Sequence, residues 1–264
     1  MATRTPKEIE QQIVELYNNG IGTNEIALRF DICRATVRSI LKRNDIAVRK
    51  NLPWKNKYNI HFFDTFTPAS CYWAGFIAAD GNIHSNRDTL SIKLANADYR
   101  HLEKFAVAIE YTGSVKQNNL YCYIDVNGKW FIDSLRDNFN IVPNKSLILE
   151  PPIKIPNNLI WHYIRGYFDG DGCITQSNGK LHVSFASGSN KILEYIRDVI
   201  YNNGIKVRKT KNNNTEKSLI QNITINYFCE NALNILKLLY NESNENIYLD
   251  RKYKKFLEFY KRNN

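Results

Sequence analysis

The sequence has little of what marks a secreted, zinc-binding or membrane-spanning protein. Its five cysteines lie far apart and form no Cys-x-x-Cys pair, which excludes a recognisable zinc site and a disulfide framework. No stretch approaches the roughly 20 apolar residues that a membrane-spanning helix needs. The N-terminal residues MATRTPKEIEQQ contain no apolar signal core. We therefore expect a cytoplasmic protein that has no membrane partner.

Acidic residues are also few relative to basic ones. The 264 residues include 26 Asp and Glu against 36 Lys and Arg, a formal net charge of +10. This excess favours polyanions, and the expected partner is double-stranded DNA. With 43% hydrophobic residues, the chain can fold as one large domain or as two unequal ones. Frequent Asn, Lys, Ile and Tyr suggest an AT-rich genome, which is consistent with a phage, a bacterium or a mobile element, and we expect a bacterial or phage-infected cell.

Residues 1–46 are predicted to form a small helix-turn-helix domain. Apolar residues recur at helical spacing in three blocks, Thr23 is the expected N-cap of the second helix, and Asp31-Ile32-Cys33 is the turn before the third. The pattern resembles the DNA-binding domains of resolvase and homeodomain-like proteins. The third helix carries outward residues expected in the major groove: Arg34, Thr36, Arg38 and Lys42. The alternative is a helical bundle with a solvated basic face.

Residues 47–66 are predicted to be a basic linker. They break the helical period and mix basic, aromatic and Pro residues. Arg49 and Lys50 are expected to follow the phosphate backbone of DNA. A solvated charge run is the alternative.

The rest of the chain contains an internal repeat. Tyr72–Gly81 reads YWAGFIAADG, and 91 residues later Tyr163–Gly172 reads YIRGYFDGDG. At the same offset LSIKLA, from Leu90, is matched by LHVSFA, from Leu181. We therefore predict an α+β fold in which residues 67–155 and 156–264 form two pseudo-symmetric halves. Each half is expected to have the order αββαββα and a saddle-like antiparallel sheet.

The two copies of the repeat are predicted to present polar sheet faces to DNA. Apolar and polar residues alternate in LSIKLA and LHVSFA, which gives each strand one inward and one outward face. The residues expected to contact DNA from the sheets are His84, Lys93, Thr175, His182 and Ser184. A basic loop in the second copy is expected to touch phosphates through Lys206, Arg208, Lys209 and Lys211. The alternatives are strand residues that only face water and a solvated loop.

The two quoted segments are predicted to be helices that pack against each other. Small residues lie four apart in each, Gly75 with Ala79 and Gly166 with Gly170, which lets two backbones approach closely. This contact would bring together two aspartates at the helix C-termini, Asp80 and Asp171. Carboxylates that repel each other at the negative ends of helices favour a bound divalent cation, Mg²⁺ first, with Mn²⁺ or Ca²⁺ as substitutes for binding. An Asp-Gly helix stop without function is the alternative.

The segments WAGFIAADG (73–81) and IRGYFDGDG (164–172) resemble the two motifs of the LAGLIDADG homing endonuclease family. Single-chain members of that family are pseudo-dimers of this layout. The resemblance implies that Asp80 and Asp171 bind metal, together with Gly81 and Gly172, each aspartate near one scissile phosphate. It also implies cleavage across the minor groove that leaves short 3′ overhangs.

Two further residues and two departures follow from the same resemblance. Lys145 and Lys252 resemble the basic residue that family members place near the active site late in each half. Ala78 stands where the family usually has Asp. Arg165 stands where a small residue is usual, and we expect it to loosen the helix contact or to reach solvent.

The sequence predicts a Mg²⁺-dependent, site-specific DNA endonuclease that acts as a monomer, with the N-terminal domain extending the recognised site. A DNA-binding regulator that has lost cleavage is one alternative, and an intron RNA maturase is another. The N-terminal domain favours duplex DNA. The start at Met1 and the end in Arg-Asn-Asn argue against an intein.

Overall fold

The computed structural model describes residues 5–18, 21–48, 56–206, 211–212, 223–240 and 247–262. It divides into two compact units, Met1–Lys55 and Asn56–Asn264. In the described part of the chain, no helix has the length and apolar character needed to cross a membrane.

The first unit contains three helices around a small apolar core. They are α1 (Lys7–Asn18), α2 (Thr23–Arg29) and α3 (Arg34–Arg43). The core side chains include Ile13, Ile26, Val37, Ile40 and Leu41, which are the positions of the helical spacing in the sequence. Asp31, at φ 50°, allows the tight turn between α2 and α3.

One expected cap in the first unit is wrong. The N-cap of α2 is Gly22, and Thr23 is already the first helical residue. The Thr23 hydroxyl instead accepts a hydrogen bond from Nε of Arg34, at 3.2 Å, which ties α2 to the start of α3. The predicted turn residue Cys33 is the N-cap of α3.

The second unit has the predicted order αββαββα in both halves. The first half consists of α4 (Pro68–Asp80), β1 (Gly81–Ile83), β2 (Thr89–Ala95), α5 (Tyr99–Ala108), β3 (Lys116–Gln117), β4 (Tyr121–Asn127) and α6 (Lys129–Phe139). The second consists of α7 (Ile160–Asp171), β5 (Gly172–Ser177), β6 (Lys180–Ser187), α8 (Asn190–Asn202), β7 (Lys211–Asn212), β8 (Ile223–Phe228) and α9 (Cys229–Tyr240), followed by α10 (Asp250–Arg262). The α+β architecture predicted from the repeat is confirmed.

Each half contributes one antiparallel four-stranded sheet. The strand orders are β1-β2-β4-β3 and β5-β6-β8-β7, so the two sheets have the same topology. Inward residues such as Leu90, Ile92, Val183 and Phe185 are buried and pack beneath the helices. The alternate residues form the opposite, polar face.

The first hairpins of the two halves differ in register. Gly81 pairs with Ile92, whereas Gly172 pairs with Phe185, two positions beyond the counterpart of Ile92. The β5–β6 hairpin of the second half closes through Asn178 and Gly179, both with positive φ, in a tight two-residue turn. Because the shift is even, the inward and outward faces are conserved between the halves.

The predicted linker, residues 47–66, is not a linker from residue 56 onward. Phe63 is fully buried and makes edge contacts with Phe131 and Phe139, at ring centroid distances of 5.0 and 5.8 Å. The Tyr58 hydroxyl donates to the Asn127 carbonyl at 2.6 Å. The aromatic residues that suggested an irregular segment are therefore core residues of the first half. Residues 49–55 lie outside the described residues.

Helices α4 and α7 pack through their glycines. A β-carbon added at Gly75 would lie 2.0 Å from the Tyr163 carbonyl oxygen, and one at Gly166 would lie 1.9 Å from the Tyr72 carbonyl oxygen. A β-carbon at Gly170 would lie 2.4 Å from that of Ala79. The two helix backbones are thus in direct contact, at a distance that only glycine permits.

We expect Gly75→Ala to destabilise the second unit by about 3 kcal/mol or more, since backbone atoms cannot move away as a side chain could. The helix propensity of Ala, which favours it over Gly by about 1 kcal/mol, acts in the opposite direction. The measurement is the denaturant midpoint of the full chain.

Gly179→Ala is the matched control for this substitution. A β-carbon there meets nothing within 4 Å, so only its positive φ should cost stability, about 1 kcal/mol. Equal losses for the two variants would refute a steric role for Gly75.

Candidate active site and polar sheet faces

The C-termini of α4 and α7 bring Asp80 and Asp171 together. Each is the last residue of its helix, and a glycine, Gly81 or Gly172, is the C-cap that starts the first strand of its half. A β-carbon at Gly170 would lie 3.3 Å from Oδ2 of Asp80, so the carboxylate of one helix lies against the last turn of the other. Both aspartates are exposed.

The two carboxyl groups are held in an environment that disfavours their charge. Burial and, to a lesser extent, the neighbouring Asp80 raise the pKa of Asp171 to about 6, against the opposing effect of Lys145 and Lys252. Burial also raises the pKa of Asp80, again opposed by the two lysines. Although the oxygens reach solvent, the surrounding helix ends displace much of their hydration. The arrangement therefore favours an added cation.

A lysine from each half lies at the end of each central helix. Lys145, 7% exposed, donates to the Gly81 carbonyl at 2.5 Å. Lys252, 4% exposed, donates to the carbonyls of Phe168, Asp169, Gly170 and Gly172, at 2.5, 2.8, 3.3 and 2.6 Å. These carbonyls carry the negative end of the helix dipole, which a cation stabilises. Burial lowers the pKa of Lys252 to about 8 and also lowers that of Lys145.

Gly81 and Gly172 were predicted to bind metal together with the aspartates. Their carbonyl oxygens accept hydrogen bonds from Lys145 and Lys252. Among the described residues, no group of three or more His, Cys, Asp or Glu side chains is arranged to hold a metal ion. Two carboxylates completed by water and phosphate oxygens are a donor set that Mg²⁺ accepts. The residues present therefore fit a magnesium ion held by Asp80 and Asp171.

The outer face of the first sheet carries lysines above tyrosine rings. The exposed Lys93 has its Nζ 4.0 Å from the centroid of Tyr121, and Nζ of Lys116 lies 5.4 Å from that of Tyr123. The tyrosine rings hold these cations on the face of the sheet. This face therefore offers both charge and flat apolar surface.

A series of hydrogen-bonded side chains lies beside these lysines. The Ser91 hydroxyl donates to Oδ1 of Asp125 at 2.6 Å and accepts from Nε2 of His84 at 2.9 Å. His84 was predicted to contact DNA directly. Its Nε2 is instead engaged with the sheet.

His182, at the corresponding face of the second sheet, has both ring nitrogens engaged. Nε2 donates to Oδ1 of Asn226 at 2.9 Å, and Nδ1 accepts from the Thr175 hydroxyl at 3.0 Å. Its ring stacks on Phe228, with centroids 4.6 Å apart and planes at 17°. Thr175 is exposed and Ser184 is half-buried. His182 thus orients its neighbours and has no nitrogen left for a ligand.

The other predicted contact residues belong to the first unit, to the region around β7, or to parts of the chain outside the described residues. In the first unit, Arg34, Arg38 and Lys42 are exposed and Thr36 is half-buried. Lys206 is exposed, and the backbone of Lys211 lies in β7. Arg49, Lys50, Arg208 and Lys209 lie outside the described residues.

Sequence reasoning missed several residues of the polar faces. They are Lys116, Tyr121, Tyr123, Asp125, Asn226 and Phe228. YCYIDVN and ITINYF alternate as clearly as LSIKLA and LHVSFA, so the alternation of apolar and polar residues is the signal that identifies most of them.

Arg165 neither loosens the helix contact nor reaches solvent. It is 1% exposed and donates to the carbonyls of Ile247 and Leu239, both at 2.7 Å. Its guanidinium lies 5.6 Å from the ring centroid of Tyr72. The motif accommodates this large side chain because its guanidinium is hydrogen-bonded to buried carbonyls outside the helix pair.

Residues 159–258 match the family model described as the LAGLIDADG-like domain. Two solved structures share the fold of this chain. The LAGLIDADG homing endonuclease I-GzeII, in complex with its DNA target, aligns with a TM-score of 0.51 at 16% identity, over 75% of this chain and 89% of that one.

The second structure is the I-LtrWI LAGLIDADG homing endonuclease bound to target DNA, with a TM-score of 0.50 at 12% identity, over 77% of this chain and 91% of that one. At these identities the likeness establishes the fold. Together with the family model, it confirms the LAGLIDADG resemblance found in the two motifs.

One relative is similar in sequence to this chain over a small part of its own length only. It is glutamine–fructose-6-phosphate aminotransferase (isomerizing) of Methanocaldococcus jannaschii, 29% identical over 191 residues. The match covers 67% of this chain but spans 17% of the length of that relative.

We expect Asp171→Asn to stabilise the second unit when metal is removed with EDTA. The folded-state pKa of about 6 lies above the usual 3.8, so the ionised carboxylate destabilises the fold. This penalty is complete above pH 6 and vanishes below about pH 4, where the carboxyl is protonated in the unfolded chain too.

The measurement is the thermal midpoint at pH 8 and at pH 4, with Asp88→Asn, exposed in the β1–β2 loop, as the control. A lower midpoint for Asp171→Asn at pH 8 would mean that the lysines stabilise the carboxylate more than burial disfavours it.

Proposed function

We propose that the chain is a site-specific DNA endonuclease that cleaves both strands of its target with a divalent cation. One observation carries this proposal: two carboxylates, Asp80 and Asp171, meet at the ends of a central helix pair beside a buried lysine from each half. A protein that only binds DNA gains nothing from two apposed acids whose charge the fold disfavours.

The setting of this acid pair supports a duplex as substrate. The first strand of each sheet starts directly after an aspartate, at Gly81 and Gly172, so two polar sheet faces extend from the site. The formal net charge of +10 favours a polyanion. The two solved structures that share the fold are homing endonucleases bound to their DNA targets.

In this proposal Asp80 and Asp171 hold Mg²⁺ or Mn²⁺, while Ca²⁺ supports binding. The bound cation supplies Lewis acidity and neutralises charge on the phosphate. Lys145 and Lys252 add two positive charges next to the carboxylates, where charge develops on a phosphate under attack. With a folded pKa of about 8, Lys252 is the group better suited to exchange a proton with water near neutral pH.

Each aspartate serves one scissile phosphate, so that one chain cuts both strands across the minor groove and leaves short 3′ overhangs. The two halves make the monomer the active unit. The exposed basic residues of the first unit extend the recognised site, and the basic residues near β7 contact phosphates. A catalytically silent regulator and an RNA maturase are the competing functions on this fold.

We expect Asp80→Asn and Asp171→Asn each to slow double-strand cleavage by about 100-fold or more, with binding retained. Cleavage is measured on the host's DNA, with and without the gene inserted, in Mg²⁺ and in EDTA, and the ends are sequenced. Asp198→Asn, exposed on α8, is the control.

Cleavage that persists in both variants would remove the acid pair from the mechanism. Binding without cleavage by the unchanged protein would assign the chain to the regulators, and binding to structured RNA alone would favour a maturase.

Deleting residues 1–55, the first compact unit, should weaken DNA binding and shorten the protected site. Arg34→Ala with Arg38→Ala should reproduce the weaker binding and reduce its salt dependence, because fewer counterions are released. The measurements are footprinting and affinity at several salt concentrations. An unchanged footprint would exclude a DNA role for the first unit.

A further inference from the structure

A buried carboxylate beside the candidate site accepts hydrogen bonds from three directions. Asp169, fully buried in α7, accepts from the Tyr72 hydroxyl and the Leu249 backbone N–H through Oδ2, and from the Tyr240 hydroxyl through Oδ1, each at 2.7 Å. All three partners are donors. An uncharged acceptor of this size could not satisfy all of them.

Arg165, one turn earlier in α7, binds the same stretch of chain. Its Nε donates to the Ile247 carbonyl at 2.7 Å, two residues before the N–H that Asp169 accepts. Two charged α7 side chains therefore fix the segment that leads into α10. Burying both charges is costly unless each is fully hydrogen-bonded, so this segment has one well-defined position.

This segment sets the position of Lys252. The Leu249 carbonyl accepts the backbone N–H of Lys252 at 3.0 Å, which starts the first turn of α10. From that turn the Lys252 ammonium reaches back to the end of α7 and the Gly172 carbonyl. A continuous path of hydrogen bonds thus runs from the Asp169 carboxylate through Leu249 to Lys252.

The first half lacks this network of hydrogen bonds. At the 91-residue offset, Ala78 replaces Asp169 and Ala74 replaces Arg165, and a methyl group accepts and donates nothing. Lys145 lies in a short 3₁₀ turn, Lys145–Leu147, and donates to the carbonyl of Gly81. The two lysines therefore occupy matching places but are held by different means.

We propose that Asp169 is a positioning residue that holds Lys252 at its half of the active site, so that losing it impairs the cleavage of one DNA strand more than the other. The inference rests on the proposed endonuclease function. Asp169 touches neither the two site carboxylates nor the expected substrate, so it acts through Lys252.

The test compares strand-specific cleavage rates of a doubly end-labelled target duplex for Asp169→Asn, Lys252→Met and Lys145→Met. An Asn side chain must turn its amide donor towards a tyrosine hydroxyl or the Leu249 N–H, which opens the network. Asp169→Asn should slow the same strand as Lys252→Met, by about 10-fold to 100-fold relative to the other strand, so that a nicked intermediate accumulates. Lys145→Met should slow the opposite strand.

A second readout does not require cleavage. Acetylation of the full-length protein, followed by mass spectrometry, should show Lys252 becoming reactive in Asp169→Asn while Lys145 stays protected. Ser189→Ala is the matched control, because it removes a different buried hydrogen bond, to the Leu149 carbonyl, and should leave Lys252 protected. If Asp169→Asn does not fold, the milder Tyr240→Phe should produce the same bias to a smaller extent.

If the cleavage of both strands slows equally, or if both lysines become acetylated, Asp169 only stabilises the fold in general. Either result would overturn the proposal. Unchanged rates and unchanged protection would overturn it as well. If the unchanged protein cuts no DNA, the proposed function fails, and the acetylation pattern alone then decides whether Asp169 positions Lys252.

Discussion

The direct backbone contact between α4 and α7 is the constraint on which the second unit depends. Because Gly75 and Gly166 have no β-carbon, two buried helices cross at a distance that no other residue permits. This crossing places their last residues, Asp80 and Asp171, close together. Both sheets start from this point, so the contact fixes the geometry of the site and the relative position of the two polar faces.

The same contact creates an electrostatic problem that the fold solves only in part. Two helix dipoles and two carboxylates converge with their negative ends. The buried ammonium groups of Lys145 and Lys252 neutralise the carbonyls, yet the pKa of Asp171 still rises to about 6. The fold therefore tolerates a local excess of negative charge. Stability and cation affinity oppose each other here, as is common where a site must bind something.

Much of this architecture could be predicted from the sequence, since it depends on periodicity. The helices of the first unit, the order αββαββα, the small-residue stripe and the meeting of the two aspartates all follow from local patterns repeated at one offset. The residues that the prediction misplaced depend on contacts distant along the chain. Phe63, predicted to lie in a linker, packs on Phe131 and Phe139, and no local pattern records these partners.

The hydrogen bonds of Arg165 and His182 were not predicted for a related reason. A residue's type indicates which bonds it can make, but not whether neighbours already occupy them. Arg165 looked too large for a helix contact because its buried acceptors, the carbonyls of Ile247 and Leu239, lie about 80 positions away. The hydrogen bonds of His182 could not be predicted because its two partners, Thr175 and Asn226, become adjacent only after the strands pair.

The two sheet faces match in topology but not in chemistry. One presents Lys93 and Lys116 over tyrosines and an acid, Asp125; the other presents Thr175, Asn226 and the exposed ring of Phe228. Because the two halves belong to one chain, residues on one sheet face can change while those on the other face stay the same. In a dimer of identical chains, both faces would change together. A ligand read by both faces at once is therefore expected to be non-palindromic, with unlike left and right arms.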